Sequence, residues 1–493
     1  MLRRLLRVSL ALGVLGLALA AVLAFALRPP SPLRPPAQGA HFARVQLVEP
    51  GASRRAPVSL RIEGSRIAAI AAAEGDDAYS DAFVLPGLTD MHVHFPAFAL
   101  PGEAELDAFL LLSHGITTAR VAGDVRAGGS DGIRAAIERG EVAGPRLFSC
   151  MAFVDGDPPL WPNSQVVRTP EQARMAVDAL ADAGADCIKA YDGLDLQSTR
   201  ALQAAARRRG LPVIGHTPRA VPFEEALLDD VQHLRGVHPP RVGESTQYPF
   251  FLAAWQRADD AWLEHISQVS LEHGVAHTPT LVTLDALVRA RDWSVLLRDP
   301  AFALVPPPYP EVFWHPRRGL NAARRMSPED FEMVALALAQ MQRAVGHMHR
   351  AGVAIHTGTD ANAPMIVPGA SLHRELWLLT EAGLTPEQTL AASTRQSPAF
   401  LGVEGLGELR VGAPAELAIF REDPTRDLAA LSSLLAVVRD GRLYPRAQLD
   451  AQLARYQEHY QGVVYRRLVT PVARLVVGQL LANLAADDPP AGD

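Results

Sequence analysis

Between residues 84 and 402, short apolar runs alternate with stretches of helical periodicity, and the alternation repeats eight times. The runs are VLPGLTDMHVHF from Val84, GITTARVAG from Gly115, RLFSCMAF from Arg146 and ADCIKAYDG from Ala185. LPVIGHT from Leu211, DDVQHLRG from Asp229, GVAHTPTL from Gly274 and GVAIHTGTD from Gly352 complete the series. Segments such as TPEQARMAVDALADAG read as the helices between them, with Thr169 an N-cap ahead of Pro170. Eight strand–helix units in series predict an α/β fold of the (β/α)8 barrel, TIM type. Chemistry in such a barrel sits at the C-terminal ends of the strands. The residues at those ends here are His92, His94, Asp124, Lys189, Tyr191, His216, His233 and Asp360.

The flanks read differently. Residues 42–83 hold short strand-like runs (ARVQLVEP, VSLRIEGSRIAAI), and residues 403–446 hold GELRVGAPAELAIF and LLAVVRDGRLY, with Asp440-Gly441 a hairpin turn. Neither flank is long enough to stand alone, so together they predict a small composite β-sandwich beside the barrel of residues 84–402. Residues 1–27 form a membrane anchor or signal segment. Val8 to Leu27 is uncharged and long enough to span a bilayer as a transmembrane helix, with Arg3, Arg4 and Arg7 before it. A signal peptide cleaved after Ala18-Leu19-Ala20 is the alternative, and either reading exports the main domain to the periplasm or beyond the cell. Residues 28–41 are a proline-rich linker, and residues 447–493 a helical tail ending in a disordered ADDPPAGD. Val463 to Ala485 is mostly apolar, with a kink expected at Pro471. It reads as a helix on the membrane surface, or packed on the barrel or on another subunit of a homo-oligomer.

Composition closes off other classes. A net charge of −7 and the lack of a dense basic patch argue against nucleic-acid binding. One apolar span excludes a multi-pass transporter. The two cysteines, Cys150 and Cys187, lie far apart, which rules out a disulfide framework and leaves a cysteine zinc site unsupported. Any metal must therefore be held by His, Asp, Glu or Lys. His92 and His94 alternate on a strand and project from one face, as half of a metal site would. With 16 histidines in the chain such a pair is common, and its weight comes from the residues that follow in order.

The series His92-x-His94, Lys189, His216, His233, Asp360 resembles the amidohydrolase superfamily with a two-metal centre. The phrases PGLTDMHVH, GITTARVAG, IKAYDG, GHTP, VQHL and HTGTDA carry the likeness, as do LTPEQTLAASTRQSPAFLG and GELRVGAPAELAIF. It spans residues 42–447 and is similar to the imidazolonepropionase- and prolidase-like subgroup. The resemblance implies a binuclear metal-dependent hydrolase. His92, His94 and Asp360 would bind one divalent ion, His216 and His233 the second, and Lys189 would bridge both as a carbamate formed from CO2. Zinc suits such ligands best. A metal-bridging hydroxide would attack the scissile carbonyl, Asp360 would relay the proton, and Tyr191 would donate to the oxyanion. The implied substrate is a small molecule with an amide or related C–N bond, of the dipeptide or N-acyl amino acid class. Lactone, ester or phosphotriester hydrolysis on the same site is an alternative, as is a non-catalytic envelope binding protein.

Other residues receive plainer readings. His114 and His277 are satisfied core histidines, Asp124 is a loop aspartate, Cys187 is core, and Glu224 and Glu225 start a solvated helix. His356 shares a face with positions 358 and 360 and is a candidate pocket residue. Arg120, Arg219 and Arg235 are candidates for a substrate carboxylate. Ala415-Glu416-Leu417 departs from the family's Ala-Asp-Leu. The long segments 241–274 and 292–318 include PPPYPEVFWHP, which reads as a cap over the pocket.

Overall fold

A computed structural model describes residues 27–51, 56–96, 100–240 and 250–487. The fold is mixed α/β. Its strands are β1 (Ala40–Leu47), β2 (Val58–Glu63), β3 (Arg66–Ala72), β4 (Ala82–Pro86), β5 (Leu88–Val93), β6 (Ile116–Val121), β7 (Arg146–Ser149) and β8 (Phe153–Asp155). There follow β9 (Ser164–Val166), β10 (Ile188–Ala190), β11 (Val213–Gly215), β12 (Asp230–Gln232), β13 (Ala276–Thr278), β14 (Leu417–Phe420), β15 (Leu434–Arg439) and β16 (Arg442–Pro445).

The two flanks build one seven-stranded sheet in the order β16-β15-β14-β4-β1-β2-β3. This corrects the expected sandwich of two paired layers: the sheet is continuous. It curls until Gln38 bridges Arg442 and Arg66 bridges Pro414. The curl encloses its own core, in which Phe42, Val45, Leu60 and Val84 from one flank meet Leu417, Ile419 and Val438 from the other. Pairing in this sheet also divides the run VLPGLTDMHVHF. Val84–Pro86 belongs to β4, whereas β5 begins at Leu88 in a different sheet, with Gly87 at the break. A side chain at Gly87 would collide with Thr117, its Cβ 2.1 Å from Oγ1, so only glycine lets the chain pass between the two sheets there.

The central strands are parallel. A three-stranded sheet runs β5-β6-β7, and a six-stranded sheet runs β13-β12-β11-β10-β8-β9. The run from Arg146 divides into β7 and β8 around Met151, which has φ 58°. The last predicted strand, from Gly352, makes only isolated parallel bridges, Ile355 to His277 and Ala361 to Val93. Helices cover the strands, as Thr169 illustrates. Its side chain accepts from the Gln172 N–H, and Pro170 follows at the first helical position.

The reading of Cys187 as simple core needs correction, as does the exclusion of a disulfide on the distance between the two cysteines in sequence. Cys150 and Cys187 form a disulfide. Asp186 N donates to Ser149 O across the gap between β7 and β10, which puts the two cysteines side by side. The bond lies among Ala122, Ile214 and Phe400, wholly buried. By closing a loop of 37 residues it stabilises the fold by about 4 kcal/mol through the unfolded chain.

Among the described residues no helix is long and apolar enough to cross a membrane. The expected anchor Val8–Leu27 lies outside the described residues apart from Leu27 itself. At the other end, the tail is helical over Arg446–Tyr460 and Thr470–Asp487. A π-helical turn at Tyr465–Val469 precedes Pro471, where the kink was expected, and the missing proline N–H falls in the first turn of the new helix.

Candidate active site

Six of the predicted site residues line one cavity of about 460 Å³: His92, His94, Lys189, His216, His233 and Asp360. Tyr191 lines it as well. Alternation along β5 and just beyond it aims both His92 and His94 inward. The ligand atoms of His92, His94 and Asp360 lie within 4.8 Å of one another. Asp360 Oδ1 is 3.3 Å from His92 Nε2 and 3.1 Å from His94 Nε2. His216 and His233 stand next to them, their ring centroids 5.1 Å apart, and His233 is 4.5 Å from His92.

The outer ring nitrogens are all engaged. His92 Nδ1 donates to Gln232 Oε1, His94 Nδ1 to Gly123 O at 2.6 Å, and His216 Nδ1 to Asp192 Oδ1 at 2.7 Å. His233 Nδ1 pairs with Thr280 Oγ1 at 2.5 Å. For His92, His94 and His216 the acceptor partners fix the proton on Nδ1 and leave Nε2 as a bare lone pair. Yet His92 Nε2 and His94 Nε2 face each other at 3.1 Å, with a carboxylate oxygen equally near. Lone pairs so arranged repel unless a cation lies among them, so the donor set fits divalent metal. Burial keeps the rings of His92, His216 and His233 neutral. It lowers His92 to about 3 and His216 to about 4, and it also depresses His233. Burial opposes ionisation of Asp360, but His92, His94 and His233 hold its carboxyl well below the usual range.

Lys189 is the second sign of a missing charge partner. Its Nζ is buried with no hydrogen-bond partner, and desolvation pushes the ammonium down to about 7. An amine neutral near physiological pH is the form that reacts with CO2. Two candidate ligand positions are also strained: His233 and Asp360 have φ of 58° and 63°, a region costly for residues with a Cβ. Strain of this kind persists where surrounding structure enforces it, commonly at working sites.

The supporting residues were not identified from sequence. Asp192 holds His216 and receives Arg219 at 3.1 Å and Arg235 at 2.8 Å. Its carboxyl is depressed strongly against the cost of burial by His216 and the two arginines. Asp192 follows Tyr191 in IKAYDG, and that adjacency to the lysine strand was the only available signal. Asp192→Asn is expected to lower activity and metal affinity about 10–100-fold, because the amide no longer fixes the imidazole. Titration of metal uptake by the purified variant checks it.

Thr280 spends its hydroxyl on His233, so the helix Leu281–Arg289 has no side-chain cap from its own N-cap residue. Glu375 supplies the acceptors instead, taking the N–H groups of Leu281 at 3.1 Å and Val282 at 2.7 Å. Burial pushes Glu375 up to about 8 from 4.5. Between those values the folded chain holds more protons than the unfolded one, because ionising the buried carboxyl costs desolvation, so stability falls as pH rises. Unfolding free energies from urea melts should therefore fall between pH 5 and 8 by about 1 kcal/mol per pH unit more in the wild type than in Glu375→Gln.

The structure separates the remaining candidates. His356 is not in the cavity wall; its Nδ1 lies 3.2 Å from Asp230, beneath the site, which corrects its reading as a pocket residue. Arg120 is buried against Asp230 at 2.6 Å and is no carboxylate receptor. Arg235 lines a smaller adjoining cavity of about 280 Å³, which shares Tyr191, His216, His233 and Asp360 with the first. Asp124 bonds Ser130 and stays outside the wall. His114 is satisfied by Leu110 O; His277 pairs through Nε2 with Ser270 Oγ but leaves Nδ1 buried without a hydrogen-bond partner, which corrects its reading as fully satisfied, and Glu224 and Glu225 pair with His265 and Arg200. Much of the remaining wall is aromatic: Phe153, Trp161, Tyr309, Phe313 and Trp314. Tyr309 to Trp314 come from PPPYPEVFWHP. Trp161 Nε1 donates to the Tyr191 hydroxyl oxygen at 3.0 Å, leaving the tyrosine O–H to donate. Burial raises the tyrosine's pKa, so that proton stays.

The sequence profile of the amidohydrolase family matches residues 83–444. Solved structures with a similar fold include bottromycin amidohydrolase, 24% identical, TM-score 0.67, covering 89% of this chain and 93% of that one. A Xaa-Pro dipeptidase with methionine bound in its active site is 21% identical, TM-score 0.59, with 83% and 99% covered. The Aspergillus niger ochratoxinase is 17% identical, TM-score 0.57, with 83% and 96% covered. No curated protein matches the chain in sequence.

Proposed function

Because the chain belongs to the amidohydrolase family and is a hydrolase, we propose that it is a two-metal enzyme cleaving the amide bond of a small dipeptide or N-acyl amino acid with a large apolar group. The observation that carries this reading is that His92, His94, His216, His233 and Asp360 line one cavity together with the unpartnered Lys189 amine. His92, His94 and Asp360 would hold one ion and His216 and His233 the other, with Lys189 as a carbamate between them; zinc suits the donors. Ions held there supply a hydroxide at neutral pH and polarise the scissile carbonyl. Asp360, ionised, accepts the proton and returns it to the leaving nitrogen. Tyr191, its oxygen fixed by Trp161, donates to the developing oxyanion.

The substrate class rests on the two adjoining cavities. An apolar side chain or acyl group suits the aromatic wall, and a carboxylate suits the side lined by Arg235. The fold likeness to a Xaa-Pro dipeptidase favours the same class. A closed (β/α)8 barrel underlies the reading, supported by the bridges from Ile355 to β13 and from Ala361 to β5, which span the gap between the two parallel sheets. The buried disulfide and the arginine-led apolar N-terminus support export to an oxidising compartment with a membrane tether.

The test is metal analysis of the purified chain with a panel of dipeptides, N-acyl amino acids, lactones and phosphotriesters. Chelator-sensitive cleavage of amides bearing Phe, Trp or a long acyl chain is the expected result. Metal-loaded protein that cleaves only lactones or phosphotriesters, or nothing, refutes it.

A further inference from the structure

The C-terminal helix Thr470–Asp487 turns a greasy edge outward. Leu468, Val472, Val476 and Leu480 recur every fourth residue, so they form one ladder along the helix, and Leu475 lies beside it. All five are exposed, Leu475 by 75%. Val477 is buried on the other side, and the helix packs on the turn Tyr309–Phe313. A soluble surface rarely leaves such a stripe open without a use.

Two further observations say what covers it. First, the crevices between this helix and segment 293–324 are strongly basic. Two cavities, of about 570 and 780 Å³, are lined by Arg298, Arg317, Arg318, Arg324, Arg466 and Arg474. Only Asp299 and Glu311 oppose them in those linings. Residues 463–483 contain no acidic residue at all. Guanidinium forks match phosphate oxygens in geometry as well as charge. Second, the chain enters the described fold at this end of the molecule. Pro29 abuts Gly102 beside the Tyr460 hydroxyl, and Ser31 O accepts from Gln452. The rings of Tyr460 and Tyr465 are 5.0 Å apart, so the entry lies next to the start of the exposed helix. The sequence just before Leu27 is the uncharged run led by three arginines.

We propose that the exposed ladder of the C-terminal helix and the arginine-lined crevices beneath it dock on an anionic phospholipid bilayer. The ladder enters the acyl boundary and the arginines take headgroup phosphates, as interfacial helices do. The inference stands apart from the catalytic reading, since no site residue takes part.

The test uses the full chain with Leu475→Cys carrying an environment-sensitive fluorophore. Cys150 and Cys187 are bonded to each other, so the new thiol is the only free one. Met175→Cys, exposed on the helix Pro170–Asp182, is the reference. In vesicles of phosphatidylcholine with phosphatidylglycerol, the label at 475 should shift to the blue and be quenched by nitroxide-bearing lipids. The label at 175 should do neither, and quenching at 475 should weaken severalfold when phosphatidylglycerol is omitted. A label at 475 that stays as water-exposed as that at 175 overturns the proposal. So does a blue shift without lipid quenching, which would mean that a second copy or another part of the chain covers the helix.

Discussion

Lys189→Ala is expected to lower hydrolysis by on the order of 10³-fold while the chain folds and, without metal, gains stability. The activity loss follows from position. Lys189 is 1% exposed on β10, lines the cavity together with His92, His94, His216, His233 and Asp360, and is the residue proposed above to bridge the two ions as an anion. Alanine removes that bridge, and metal content should fall along with activity. The stability change has the opposite sign. In the metal-free protein, desolvation depresses the lysine from 10.5 to about 7. Below the unfolded value the unfolded chain binds the extra proton more readily, so stability falls as pH drops toward 7, by about 1.4 kcal/mol per pH unit. Alanine is free of that penalty. Urea melts of metal-free wild type and variant at pH 7, beside kcat/KM and metal content of the loaded forms, check both halves. A variant that keeps activity within tenfold would remove Lys189 from the centre.

That these side chains would meet in one cavity was legible because each sits at or just past the end of an apolar run, where period-two alternation or the end of a strand fixes a direction. What sequence did not reveal depends on which strands become neighbours. Asp192, Gln232 and Thr280 matter only because they come to lie against His216, His92 and His233. The disulfide is of the same kind, since Cys150 and Cys187 meet only when β10 lies beside β7. His356 failed for a different reason. Alternation put positions 356, 358 and 360 on one face, but the left-handed turn at Asp360 breaks the period, and the chain there is held by single bridges. The merged run at Val84 failed because a strand can pass from one sheet to another at a single glycine without leaving an apolar pattern.

A large loss of stability is expected from breaking the ion pair beneath the site. Arg120 and Asp230 are 1% and 0% exposed in their side chains and 2.6 Å apart. Asp230 also receives Thr278 Oγ1 at 2.8 Å and His356 Nδ1 at 3.2 Å. Arg120 donates to Met91 O and lies over the Phe400 ring. Burial would make Asp230 hard to ionise, yet Arg120 and His356 hold its carboxyl far below the usual range. Removing either partner alone leaves a charge in a dry interior. Arg120→Met is therefore expected to destabilise the chain by about 3–5 kcal/mol, although methionine fills much of the volume. Replacing both, as Arg120→Met with Asp230→Leu, should recover a large part of that loss, because two neutral side chains carry no desolvation cost. The rescue is incomplete where Thr278 and His356 lose their acceptor. Denaturant midpoints of the two single variants and the double variant decide the matter. A single variant within 1 kcal/mol of wild type would mean that water reaches this layer and screens the pair. Because Met91 O and the neighbouring His92 lie on β5, the same single variant should also weaken metal binding, whereas a purely global loss of stability would leave the affinity of the folded fraction unchanged.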